Sequence, residues 1–190
     1  MLEWSLDALR AAGIDDVVVA LPEGWSAPDG RTGVAGGVTR SASVRAAFAA
    51  APAAEAVVVH DAARPLVTPE HFTAALAALV DADCATAAAP LNDTVKEAGP
   101  DRLVTATLDR SRLWAIQTPQ AFRRPALERA LGVGEDVLAL ATDDAWLVER
   151  TGGSVRVIES TPANFKVTTP YDLRIAEHLL ADRLPRPSAP

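Results

Sequence analysis

Val57-Val58-Val59-His60-Asp61-Ala62-Ala63-Arg64-Pro65 is the stretch that decides the fold of this chain. Three consecutive β-branched residues predict a buried strand. The run stops at two charged residues, Asp61 and Arg64, and Pro65 blocks further extension. Thr68-Pro69-Glu70 then supplies an N-cap, a proline for the first helical position and an acid for the first turn, so a helix follows. In an open α/β sheet, ligands sit beyond the carboxyl ends of the strands. A carboxylate and a guanidinium delivered there suit a metal-bound or phosphorylated ligand.

Working outward, the pattern alternates helix and strand. Met1 to Ala12 reads as a helix with Leu2, Leu6 and Leu9 on one face, closed by Gly13. Asp16 to Leu21 reads as a strand, and residues 22–33 as a Pro-, Gly- and Asp-rich loop. Gly36-Gly37 permits close backbone approach to a ligand, or simply turns the chain before a helix striped by Val44, Ala47, Phe48 and Ala51. Arg40 there reads most simply as solvated. The helix after Pro69 runs to about Val80, and Cys84 to Ala89 is a second sheet strand. Residues 93–110 predict a β-hairpin arm, with Thr94 and Lys96 on one side of an extended backbone, a shape used for partner contact. Gln117-Thr118-Pro119-Gln120 reads as a buried turn whose amides bind backbone. Pro125 to Leu131 is a short helix. Thr142 is expected to cap another, ended by Gly152-Gly153; Asp143 and Asp144 suit metal ligation but read more simply as acids compensating the helix dipole. Ser154 to Ile158 is a strand, and Thr169-Pro170-Tyr171-Asp172 opens the last helix with a capping box. Residues 1–184 form a single domain on this pattern, and 185–190 are expected to be a disordered Pro-rich tail.

Composition narrows the class. No apolar run in the 190 residues is long enough to span a membrane. The start of the chain reads as an amphipathic helix and not a secretory leader. The lone Cys84 excludes an internal disulfide and fits a reducing cytoplasm. A net charge of −7 argues against broad nucleic-acid binding but leaves an anionic small substrate open. Arg occurs sixteen times and Lys twice, with two Asn and two Gln. These scarce residues cluster in three short motifs, Asn92 to Lys96, Gln117 to Gln120 and Asn164 to Lys166. Arg cannot replace Lys as a compact point charge, so their retention points to specific chemistry.

Taken together, six motifs resemble one family: Gly36-Gly37-x-x-Arg40-x-x-Ser43-Val44, His60-Asp61-Ala62-Ala63-Arg64-Pro65, Asp93-Thr94-Val95-Lys96, Gln117-Thr118-Pro119-Gln120-x-Phe122, Thr142-Asp143-Asp144-Ala145 and Asn164-x-Lys166-x-Thr168. In order and spacing they are similar to the 2-C-methyl-D-erythritol 4-phosphate cytidylyltransferase family of the non-mevalonate isoprenoid route. The resemblance implies an α/β, Rossmann-like nucleotidyltransferase fold, a three-layer sandwich with a protruding β-arm. It implies transfer of CMP from CTP to 2-C-methyl-D-erythritol 4-phosphate with release of pyrophosphate, a Mg²⁺ requirement and a cytoplasmic homodimer joined through the arm. By the same carry-over, Gly37, Ser43 and Asp61 hold the nucleotide, and Asp61 also sits at the metal, largely through the CTP phosphates. Ala62, Arg64 and, with them, Asp61 face the sugar phosphate. Thr94 and Arg110 reach the acceptor from the partner subunit, and Lys166 orients its phosphate. Lys166 and Arg110 are the catalytic cations, and His60 packs behind them. Neither a nucleic acid nor a membrane enters this scheme.

One departure stands out. The family opens with a strand leading into Ala-Ala-Gly-x-Gly-x-Arg and a nearby Lys, which wrap the CTP phosphates. That motif is missing from this sequence, and Met1 aligns just after it. Loss of one principal cation at phosphorus costs roughly 3–4 kcal/mol, a hundred- to thousandfold in rate. The chain as written is therefore expected to be impaired and poorly stable, with strand edges unpaired where the first strand belongs. Two other readings fit the same motifs. One is a ribitol-5-phosphate cytidylyltransferase; the other is a non-catalytic dimeric remnant that binds nucleotide.

Overall fold

The computed structural model describes residues 1–28, 31–181 and 183. The tail expected from residue 185 lies outside them. Helix α1 (Leu2–Ala11) buries Leu6 and Ala8, and Gly13 turns the chain at a positive φ of 75°. Strands β1 (Val18–Leu21) and β2 (Thr32–Ala35) pair in parallel. Strand β2 corrects the loop expected over residues 22–33: Thr-Gly-Val-Ala carries a single bulky apolar side chain, too little to mark a strand. It leads through Gly36-Gly37 into helix α2 (Arg40–Ala50), capped by the Thr39 hydroxyl, which accepts from the Ala42 N–H at 3.1 Å.

The main sheet has four strands in the order β3 (Ala56–Val59), β7 (Trp114–Arg123), β4 (Cys84–Pro90), β8 (Val155–Glu159). Strand β7 runs antiparallel to both its neighbours, while β4 and β8 are parallel. Residues 117–120 are therefore the middle of a strand and not a turn. The expectation of a turn failed because Thr-Pro breaks the alternation of an ordinary strand. Here the β4–β7 register shifts between Thr86 and Ala88, and Pro119, which has no N–H, sits in that interruption.

Alternate residues of the paired strands face opposite ways, and each face carries helices. Cys84 and Phe122 point into a cluster with Leu127, Ala130 and Leu131 of α4 (Arg124–Leu131), Leu138 of α5 (Glu135–Leu140), and Leu147 and Val148 of α6 (Asp144–Arg150). Ala85 and Ala121 point the other way, against Ala75 of α3 (Pro69–Ala77) and Leu79 of the 3-10 turn that follows it. Helix α7 (Pro170–Ala181) covers Leu66 with Ala176 and Leu180. This is the expected three-layer α/β sandwich. Helix α5 was not foreseen, and the cap of α6 is Asp143, which accepts from the Trp146 N–H at 2.8 Å, and not Thr142. No helix among the described residues is long and apolar enough to cross a membrane.

Two features stand apart from the core. Strands β5 (Lys96–Ala98) and β6 (Val104–Thr107) form their own antiparallel pair, matching the predicted arm. Strands β1 and β3 share no ladder, and both line an apolar cavity of about 570 Å³ with Leu6, Phe48 and Leu127. Each therefore presents an edge with unpaired backbone groups.

Residue-resolved amide exchange is expected to find β4 and β7, paired on both sides, the slowest to exchange. Amides of the isolated β1–β2 pair should exchange at least tenfold faster. Equal protection across the two sheets would contradict the described split.

Candidate active site

The loops after β2, β3 and β8 all open at the carboxyl ends of their strands, and the charged side chains meet there. Asp61 is fixed first by its own backbone: its N–H donates to the Thr118 hydroxyl at 3.0 Å. That hydroxyl also shares a hydrogen bond with His60 Nδ1 at 3.1 Å, and the His60 ring stands edge-on to Phe72 at 5.3 Å. The His60 ring is thus packed between Thr118 and Phe72.

The Asp61 carboxylate is then held from two directions. Arg40 Nε donates to Oδ1 at 2.9 Å and Lys166 Nζ donates to Oδ2 at 3.0 Å. Arg40 reaches in from the first residue of α2, and its Nη1 donates to Asp144 Oδ2 at 2.7 Å. Lys166 comes from the loop after β8. That loop is tied down by Val167 N–H donating to the Ala63 carbonyl at 2.8 Å, and by the buried Asn164 amide donating to Gln117 Oε1 and the Thr118 carbonyl, both at 3.0 Å. Arg64 does not pair with Asp61. Its Nη1 donates to the Asn164 carbonyl at 2.8 Å, and its Nη2 stays near the Ile116 carbonyl at 3.5 Å.

The electrostatics follow from burial and partners. Burial alone would raise the Asp61 pKa, but Arg40 and Lys166 outweigh it and hold the carboxyl below its ordinary value. Burial opposes the Arg40 charge, yet Asp144 and Asp61 together raise its pKa. Burial dominates at Asp144, whose carboxyl is pushed up despite Arg40, and at Arg64, whose pKa is lowered. Burial also holds His60 down to about 4, so it is neutral at physiological pH.

Ala62 is exposed beside Asp61. Gly37 N–H donates to the Ser43 hydroxyl at 3.0 Å, and that hydroxyl donates to the Thr39 carbonyl at 3.0 Å. A Cβ at Gly37 would lie 2.5 Å from Ala42 Cβ and 2.9 Å from its carbonyl carbon, so only glycine fits against α2. Thr94 and Arg110 are exposed on and beside the arm and make no hydrogen bond or ion pair with Asp61, Arg64 or Lys166 among the described residues. Arg110 donates instead to the Asn92 carbonyl, and Lys96 Nζ to the Thr107 hydroxyl at 2.6 Å.

Two residues make contacts the sequence did not announce. Arg40 is not a solvated cation but the bridge between Asp61 and Asp144. Asp144 lies in the first turn of α6 as read, and its side chain is in addition completely buried against Arg40. The signal was present in the Gly-Gly-x-x-Arg and Asp-Asp motifs, but nothing in the sequence joined them. Gln117 binds backbone as predicted, donating to the Thr161 carbonyl at 3.2 Å. Gln120 binds side chains instead, donating to the Thr86 hydroxyl at 3.0 Å and Asp143 Oδ2 at 2.7 Å.

For a divalent cation, the described residues offer no cluster of three or more acidic, His or Cys ligands. A single ionised carboxylate does fit Mg²⁺, which keeps waters and is held through one or two carboxylates plus substrate phosphates. Asp61 meets that description, with its side chain 16% exposed at the mouth of the site.

Comparison with known proteins gives a consistent result. Residues 1–182 match the family described as 2-C-methyl-D-erythritol 4-phosphate cytidylyltransferase. The Symbiobacterium thermophilum enzyme of that name is 48% identical over 150 residues, 78% of this chain, and the match spans 64% of that relative's length. A Synechococcus sp. WH7803 enzyme of the same name is 40% identical over 96% of this chain and 87% of its own length. The crystal structure of the Thermus thermophilus enzyme is similar with a TM-score of 0.84, at 35% identity, over 95% of this chain and 88% of that one.

The His60 environment makes a prediction with a definite sign. Between pH 6.5 and about 4 the unfolded chain binds a proton that the folded chain excludes, so this contribution to stability falls as pH falls through that window. Its size is on the order of 3 kcal/mol. Urea melts of the wild type and His60→Gln across that range are expected to diverge at high pH and converge toward pH 4. An NMR titration showing His60 protonating near 6.5 would contradict it.

Proposed function

Because the chain belongs to the 2-C-methyl-D-erythritol 4-phosphate cytidylyltransferase family, we propose that it transfers CMP from CTP to 2-C-methyl-D-erythritol 4-phosphate. An oxygen of the acceptor phosphate attacks the α-phosphorus of CTP. A new P–O–P link forms, the bond to the β-phosphate breaks, and pyrophosphate leaves. The observation that carries this reading is the meeting of Arg40 and Lys166 on one ionised carboxylate at the strand ends, with the Arg64 guanidinium held by the Asn164 carbonyl on the loop that carries Lys166. Two polyanions have to be brought together there, so the site has to offset their repulsion and the charge growing on phosphorus.

Within this reading the residues divide the work. Gly37 and Ser43 bind the cytidine side, where the backbone is tight and only a small residue fits. Asp61 faces the nucleotide and would hold Mg²⁺ together with the CTP phosphates. The ion, when bound, neutralises phosphate charge. Arg64 and the exposed backbone at Ala62 receive the acceptor. Lys166 is 41% exposed on its side chain, so exchanging Asp61 for a phosphate oxygen requires little rearrangement. An acceptor phosphate monoester near neutral pH needs no general base, which agrees with a neutral, packed His60.

We further propose that the arm joins two copies. Leu103, Val104 and Leu108 are exposed on it, and Trp114 and Ile116 are exposed beside it, an apolar strip that a partner would cover. Thr94 and Arg110 would then enter the partner's acceptor site. A cytoplasmic setting suits the reduced, buried Cys84.

Pyrophosphate release with CTP and Mg²⁺ is expected to be faster with methylerythritol phosphate than with ribitol 5-phosphate as acceptor. A preference for ribitol phosphate would overturn the proposal. Lys166→Ala is expected to lower kcat by roughly a hundred- to thousandfold. Lys166→Arg should restore little of it, because a guanidinium is not a compact point charge. Unchanged turnover in Lys166→Ala would remove Lys166 from the mechanism.

A further inference from the structure

Asp143 and Asp144 are adjacent and chemically identical, yet their environments differ completely. Asp143 caps α6 through the Trp146 N–H and takes a second hydrogen bond from Gln120. The helix terminus therefore does not need Asp144. Asp144 is nevertheless fully buried, and its Oδ1 has no hydrogen-bond partner among the described residues. Its one compensating contact is Arg40 Nη1 at 2.7 Å. A buried carboxylate is tolerated only with a matched partner. The arrangement gains something from this costly group other than a helix cap.

We propose that Asp144, acting through Arg40, is a positioning residue for the Asp61 carboxylate, so that α6 sets the metal–nucleotide end of the site without touching ligand. This rests on the cytidylyltransferase reading above. The geometry supplies the reason. A guanidinium is a planar fork, and here one edge nitrogen meets Asp61 while another meets Asp144. Arg40 starts α2, Asp144 starts α6 and Asp61 follows β3, so one side chain joins three elements.

The two cations on Asp61 are also unequal. Lys166 is a solvent-facing partner with a single contact, whereas Arg40 is anchored at its far side by a group that cannot reach water. When ligand draws Lys166 away, Arg40 keeps Asp61 in place and compensates part of its charge. Asp144→Asn removes the anchor and leaves Asp61, Lys166 and the Asp143 cap intact. Arg40→Lys keeps the positive charge but cannot span both carboxylates.

Two readouts test this without turnover. Calorimetric binding of Mg²⁺-CTP in the absence of acceptor is expected to weaken about tenfold in both variants, with the melting temperature of Arg40→Lys within a few degrees of the wild type. By NMR, the Arg40 Nε–H proton is expected to be protected from exchange in the wild type and to exchange at least tenfold faster in Asp144→Asn. Unchanged nucleotide affinity in Arg40→Lys, or unchanged Nε–H protection in Asp144→Asn, would overturn the proposal. Loss of fold in both variants would also overturn it, by assigning the pair to stability alone. If the wild type binds no Mg²⁺-CTP, the cytidylyltransferase reading fails, and the Nε–H exchange still decides whether Asp144 anchors Arg40.

Discussion

The structure depends at its functional end on one shared carboxylate. Asp61 accepts from Arg40 on one oxygen and from Lys166 on the other, and its backbone is tied to Thr118. Those contacts join α2, the loop after β8 and strand β7 to the end of β3. A buried or half-buried charge needs that many partners, because desolvation opposes it and a single exposed ion pair contributes little. The cost of bringing Asp61 and Arg40 out of water is met only when all of these elements are in register. The same feature that makes the site chemically useful therefore also ties the two sheets together through α2.

The scaffold behind this site is ordinary α/β packing. Phe122 and Cys84 fill one face of the main sheet and Ala85 and Ala121 the other, so helices can close on both sides. Small residues in β4 and β7 let α3 approach the sheet closely. The less ordinary part is the separation of β1 and β2 from the main sheet. Their connection to it runs through apolar side chains around a cavity of about 570 Å³ and through the Arg40 bridge, not through backbone ladders.

Much of this was legible in the sequence, because local chemistry decided it. Val57-Val58-Val59 made a strand, Thr68-Pro69 started a helix, and Thr169-x-x-Asp172 formed the expected box, with Asp172 accepting from the Thr169 N–H at 2.8 Å. Asp61, Arg64 and Lys166 stood out by motif; Lys166 meets Asp61, while Arg64 donates to the Asn164 carbonyl. What the sequence concealed was pairing. Asp61 and Arg64 are neighbours along the chain, yet Asp61 pairs with residues 21 and 105 positions away. Such choices depend on how strand crossovers place loop ends, which no local pattern encodes. Strand β2 and helix α5 were missed because each is short and weakly patterned. The Thr118-Pro119 pair imitated a turn where a bulged strand runs. Asp144 was placed in the first turn of its helix, but its burial and its pairing with Arg40, 104 positions away, left no local trace.

The central claim is that Arg40 and Asp61 form a coupled pair on which local structure depends. A double-mutant cycle on folding stability tests it most directly, with Arg40→Gln, Asp61→Asn and the double variant measured by urea unfolding at neutral pH. The account predicts a coupling energy of about 1–3 kcal/mol, with the double variant less destabilised than the sum of the two single ones. Additive effects, with coupling below about 0.5 kcal/mol, would contradict it.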